Sequence, residues 1–123
     1  MSDEHTGLWT AIDGLWHHLE ADQPERPGRE VLLLRMLKLS EEVGEVAEAV
    51  IGATGQNPRK GVTHTWEDVE AELCDVAITA LVALRTLTPQ AREVFAHHLT
   101  RVTARAQAVP RPRPDAPKPG STP

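Results

Sequence analysis

Apolar residues recur at helical spacing in four stretches of this chain, and each stretch predicts an amphipathic helix. The first runs from about Thr6 to Ala21, with Leu8, Trp9, Ile12, Leu15, Trp16 and Leu19 in step. Pro24, Pro27 and Gly28 end it. The second runs from about Arg29 to Ile51, where Leu32, Met36, Leu39, Val43, Val46 and Val50 alternate steps of four and three. At about 100° per residue, Glu41, Glu42 and Glu45 fall away from that stripe, beside Val31, Leu34 and Leu37. The acids therefore emerge from a surface expected to be buried.

Gly52 to His64 reads as a loop, with Gly55, Asn57, Pro58 and Gly61 as breakers. A third helix starts at Thr63 or Thr65, and Thr65 with Asp68 has the form of a capping box. Its stripe is Val69, Leu73, Val76, Ala80, Ala83 and Leu87, with Asp68, Glu72 and Asp75 down one flank. Ile78, Leu81, Val82 and Leu84 leave it little polar surface, so it is expected at the centre of the fold. Thr88-Pro89 suggests the cap and first residue of a fourth helix reaching about Ala108, with Val94, Phe95, Leu99 and Val102 inward. From residue 110 proline recurs too often for a packed element, so 110–123 is expected to be a disordered Pro-rich tail behind an all-α domain spanning 1–109.

Composition narrows the class. At 123 residues with 40% hydrophobic residues, one modest core is affordable. Three Trp, one Phe and no Tyr leave that core to Leu, Val and Ala, a mix that favours helices over sheets. The net charge of −5 argues against a general nucleic-acid or membrane-surface binder. The single Cys74 excludes an internal disulfide, and no leader or membrane-span pattern is present, so a cytoplasmic protein is expected. So much apolar surface on four short helices exceeds what one thin bundle can cover, which favours a homodimer or homotetramer.

The acids are concentrated: positions 41 to 75 hold nine of them against Arg59 and Lys60. Glu41-Glu42-Val43-Gly44-Glu45 and Glu72-Leu73-Cys74-Asp75 each sit within an apolar helix, 26 residues apart. Carboxylates at i, i+3 and i+4 share a helix face. Two such helices side by side would direct several carboxylates into one volume, where only a cation relieves their repulsion. An oxygen-only donor set suits Mg²⁺ or Mn²⁺. The alternative is a plain solvated acidic face, against which stand the apolar neighbours and the scarcity of pairing Lys or Arg.

The two clusters resemble the EExxE…ExxD signature of the MazG-like all-α nucleotide pyrophosphohydrolases, over roughly residues 30–105. That resemblance implies a four-helix MazG-like bundle with Mg²⁺ (or Mn²⁺) held by Glu42, Glu45, Glu72 and Asp75. Glu41 would be catalytic, orienting the attacking water or binding a second ion. The implied reaction cleaves the α–β phosphoanhydride of a nucleoside triphosphate, with a role in nucleotide-pool cleansing. Lys38 either reaches a phosphate or pairs with Glu42. Arg59 and Lys60 either clamp a polyphosphate or are solvated, and His64 touches substrate or is incidental. Trp66 stacks on a base or packs in the core, as Trp9 and Trp16 also could. Arg85 meets a phosphate or closes its helix. The adjacent pairs His17-His18 and His97-His98 point to different helix faces and make poor chelates. Cys74 is expected in the core. A di-iron carboxylate bundle is disfavoured, because no His follows these acids at Glu-x-x-His spacing. A non-catalytic helical interaction module is the remaining alternative.

Overall fold

A computed structural model describes residues 2–22 and 28–110. They form four helices and no strand: α1 (Ser2–Ala21), α2 (Gly28–Thr54), α3 (Trp66–Leu87) and α4 (Ala91–Ala108). The expected tail lies outside the described residues, apart from residue 110. Among the described residues no helix is long and apolar enough to cross a membrane.

Two units are distinguished, the first ending at Ala91 and the second starting at Arg92. In the first, α3 packs against both α2 and α1, as expected of the most apolar helix. The core of this unit is Trp9 and Ile12 from α1, Val82 from α3 and Ala91, with Trp16, Leu81 and Leu84 packed against it. Two arginines tie the helices across this core. Arg35 on α2 donates to Glu20 Oε1 at 2.8 Å and to Thr86 Oγ1 at 2.5 Å. Arg85 on α3 donates from Nε to Asp13 Oδ1 at 3.0 Å and lies 3.9 Å from the centroid of the Trp16 ring.

Local chemistry fixes the α2–α3 connection. Gly55 ends α2 in the left-handed region at φ 65°, and the Gln56 N–H donates to Ile51 O at 3.3 Å, a glycine C-cap. The Thr63 N–H donates to Gly52 O at 3.0 Å, clipping the returning loop to α2. Thr65 then caps α3: its Oγ1 accepts from the Asp68 N–H at 3.2 Å, while Asp68 Oδ2 accepts from the Thr65 N–H at 2.9 Å. This is the capping box expected from sequence.

Four expectations need correction. Of the expected α2 stripe, Met36, Val43 and Val50 are exposed and Leu32, Leu39 and Val46 only half-buried; the buried line is Val31, Glu42, Ala49 and Gly52. The helix turns its acid-bearing side towards α3, with the small Ala49 buried on that side, while Gly52 is covered by Thr63 and His64 of the returning loop. Cys74 is exposed rather than in the core, since the buried Val69 and Ala83 lie on the opposite side of α3. Thr88 closes α3 by donating its N–H to Leu84 O at 3.0 Å, and the next helix starts at Ala91. The second unit contains the rest of α4, whose Val94, Phe95, Leu99 and Val102 are exposed rather than inward as expected.

Candidate metal centre

Three of the expected acids meet. α2 carries Glu42 and Glu45 on its α3-facing side, one turn apart, and α3 supplies Glu72 opposite them. One carboxylate oxygen from each lies within 4.8 Å of the other two. Glu42 is buried, at 9% exposure. Lys38, one turn earlier on α2, pairs with it, Nζ to Oε1 at 3.3 Å. One Glu72 oxygen, Oε2, is buried without a hydrogen-bond partner. The Glu45 carboxyl is pushed above its ordinary value of 4.5, first by desolvation, then by the negative charges of Glu42 and Glu72, and by hydrogen bonds with both.

These observations fit a cation. Three carboxylates face one ammonium, and the excess negative charge has no other counter-charge within the cluster. The unpartnered Glu72 oxygen is an acceptor directed into protein with nothing to accept from. A hard divalent ion with oxygen ligands answers both conditions. Glu42, Glu45 and Glu72 are the residues that could hold it.

The other expected site residues are placed differently. Asp75 is exposed and outside the group of three. Glu41 is exposed beside Glu42, about 100° around the helix. Lys38 forms the ion pair with Glu42 while its side chain stays 60% exposed, so its ammonium is half in water. Arg59 has an exposed side chain, and its backbone N–H donates to Asn57 Oδ1 at 3.2 Å. Lys60 and His64 line a cavity of about 280 Å³ together with Glu48, Gly52 and Thr63. His64 Nδ1 lies 2.9 Å from Thr63 Oγ1. Trp66 is exposed at the first residue of α3, and Trp9 is in the core. Arg85 is held by Asp13 and Trp16 rather than free for a phosphate. All four paired histidines are exposed; His18 Nε2 lies 3.8 Å from Asp22.

A feature not foreseen from sequence is an open cavity of about 360 Å³ bounded by α1, α2 and α3. Its walls are Leu15, Leu19, Leu34, Ile78 and Val82, and Lys38 stands at its edge. The available signal was that Leu34 and Ile78 lie off their helix stripes, so some apolar surface had to face a third element. Compared with known proteins, the chain matches no protein-family model, no curated protein and no solved structure.

Proposed function

We propose that this protein is a divalent-metal-dependent nucleotide pyrophosphohydrolase, hydrolysing the α–β phosphoanhydride of nucleoside triphosphates. The observation that carries the reading is the convergence of Glu42, Glu45 and Glu72 from two helices, with one oxygen of Glu72 buried and unpartnered. The motif resemblance supplies the reaction class; the chemistry of the cluster is compatible with it. Mg²⁺ is the proposed cofactor, with Mn²⁺ as a substitute. When bound, such an ion supplies neutralisation of phosphoryl charge and a lowered pKa for water.

The chain's own residues divide the remaining work. Glu42, Glu45 and Glu72 hold the ion, and Asp75, one turn along α3, is the candidate fourth ligand. Glu41 faces solvent beside them, where it can accept a proton from the attacking water. The elements of water are added across the Pα–O–Pβ bridge, and nucleoside monophosphate and pyrophosphate leave. Lys38, already paired with Glu42, can exchange that partner for a phosphate oxygen once a cation neutralises the carboxylate.

The test is release of pyrophosphate, as opposed to orthophosphate, from a panel of common and damaged NTPs and dNTPs with Mg²⁺ or Mn²⁺. Pyrophosphate from one or a few nucleotides is expected, and Glu42→Ala should abolish it in a protein that is still helical by circular dichroism. Full activity after that substitution would remove Glu42 from the site. A folded wild-type protein with no turnover of any nucleotide would favour the non-catalytic module.

A further inference from the structure

The acid cluster stands between two cavities of opposite character, both bounded by α2. Towards the N-terminus of α2 lies the cavity with walls of Leu15, Leu19, Leu34, Ile78 and Val82. Its one interior hydroxyl on α3 is Thr79, and its Arg35 guanidinium is committed to Glu20 and Thr86. His18 and Asp22 stand exposed at its rim. Towards the C-terminus of α2 lies the polar cavity with Lys60, Thr63, His64 and Asn57. At a rise of 1.5 Å per residue, Lys38 at the near edge of the first cavity and Glu48 at the near edge of the second are about 15 Å apart along α2, with Glu42 and Glu45 between them. An elongated ligand with one end in each cavity would lay its middle across the acids.

The polar cavity has a built wall rather than a chance loop residue. His64 sits against Gly52 so closely that a Cβ there would be 2.1 Å from its Nδ1. The backbone clip from Thr63 to Gly52 O holds the loop in that position. Lys60, Thr63 and His64 offer an ammonium, a hydroxyl and a ring nitrogen, the donor types that receive phosphate oxygens. Glu48 shares this cavity and would repel a bare anion, so the phosphates are expected to arrive with their cation. The opposite cavity, with aliphatic walls, suits the face of a nucleobase.

Resting on the function proposed above, we infer that the nucleotide lies along α2 in one direction, with its base in the Leu34–Ile78 cavity and its β- and γ-phosphates towards Lys60 and His64. The α–β bridge then falls at Glu42, Glu45 and Glu72. This direction makes the two products report on different cavities.

Product inhibition tests the direction, with magnesium pyrophosphate and the nucleoside monophosphate of the best substrate as inhibitors. Both variants chosen change exposed side chains, so folding should be preserved: Lys60→Ala, and Leu34→Phe to fill the aliphatic cavity. Lys60→Ala should weaken inhibition by magnesium pyrophosphate about tenfold, the loss of one charge-assisted contact, and leave monophosphate inhibition within about twofold. Leu34→Phe should do the reverse. The crossed result, or equal effects on both products, would overturn the direction while turnover itself upheld the function. A wild-type protein without turnover would overturn the function and this inference with it.

Discussion

At the scale of single residues, Glu45 carries the clearest consequence of the cluster. Its carboxyl titrates above 4.5 because it is desolvated and faces the charges of Glu42 and Glu72. Above the raised value, the folded and unfolded states both hold it ionised, and the folded state bears the full penalty. As pH falls through that value the folded state takes up the proton first, and below 4.5 both states hold it. Metal-free stability should therefore gain a contribution on acidification from neutrality towards 4.5. Glu45→Gln removes the penalty. It should melt higher than wild type in chelator near neutrality, with the gap closing as pH falls and with little remaining response to Mg²⁺. Thermal unfolding across pH, with and without the ion, checks all three. A wild type that melts above Glu45→Gln in chelator would show that the carboxylate is held by a partner rather than repelled. The meeting of Glu42, Glu45 and Glu72 was legible because spacing within a helix fixes direction. The exposure of Asp75 was not, because it depends on the angle at which α3 crosses α2, which no local pattern encodes.

At the scale of elements, what reads well from sequence is what backbone chemistry decides locally. The Thr65–Asp68 start of α3 depends on a few neighbouring residues, whereas α2 runs past its expected end at Ile51 to Thr54, before Gly55 turns left-handed. Thr65→Ala should cost about 1 kcal/mol by removing the acceptor for the Asp68 N–H. Thr65→Ser should cost much less, because the hydroxyl is kept. Urea unfolding of both variants separates loss of the cap from loss of the methyl group; equal destabilisation would assign the effect to the methyl. Which side of α2 is covered was not legible. The period of Leu32, Met36, Val43 and Val50 identifies an apolar side, but this helix has apolar residues on nearly every side. The side with Ala49 and Gly52 is the one covered within the chain, by α3 and by the returning loop at Thr63 and His64. On the apolar stripe Met36, Val43 and Val50 are left open.

That open stripe has its consequence at the scale of the whole molecule. Met36 is 45% exposed, Val43 52% and Val50 37%, all along one side of α2. Leu33, Leu37 and Leu73 are also exposed in the same unit. Isolated exposed apolar residues are ordinary, whereas a continuous row along a 27-residue helix exceeds what a monomer commonly presents. From Met36 to Val50 the row is about 21 Å long at 1.5 Å per residue, the middle of an interface that at standard size covers roughly 800 Å² on each partner. We expect the chain to self-associate through this side of α2, and a two-fold axis would place like rows against each other. The stripe that periodicity marked as core would then be a core of the assembly. Val43→Glu sets a charge in the middle of the row, about 100° around the helix from the buried Glu42. Analytical ultracentrifugation should show the wild type as a dimer or tetramer at micromolar concentration, and Val43→Glu shifted towards monomer at unchanged helicity. A wild type that sediments as a monomer over that range would sink the expectation. A variant that stays associated would move the interface off this row. Because Val43 adjoins Glu42 in sequence, comparing turnover of the two species would also tell whether the acid cluster works within one chain or needs the assembly to hold α2 in place.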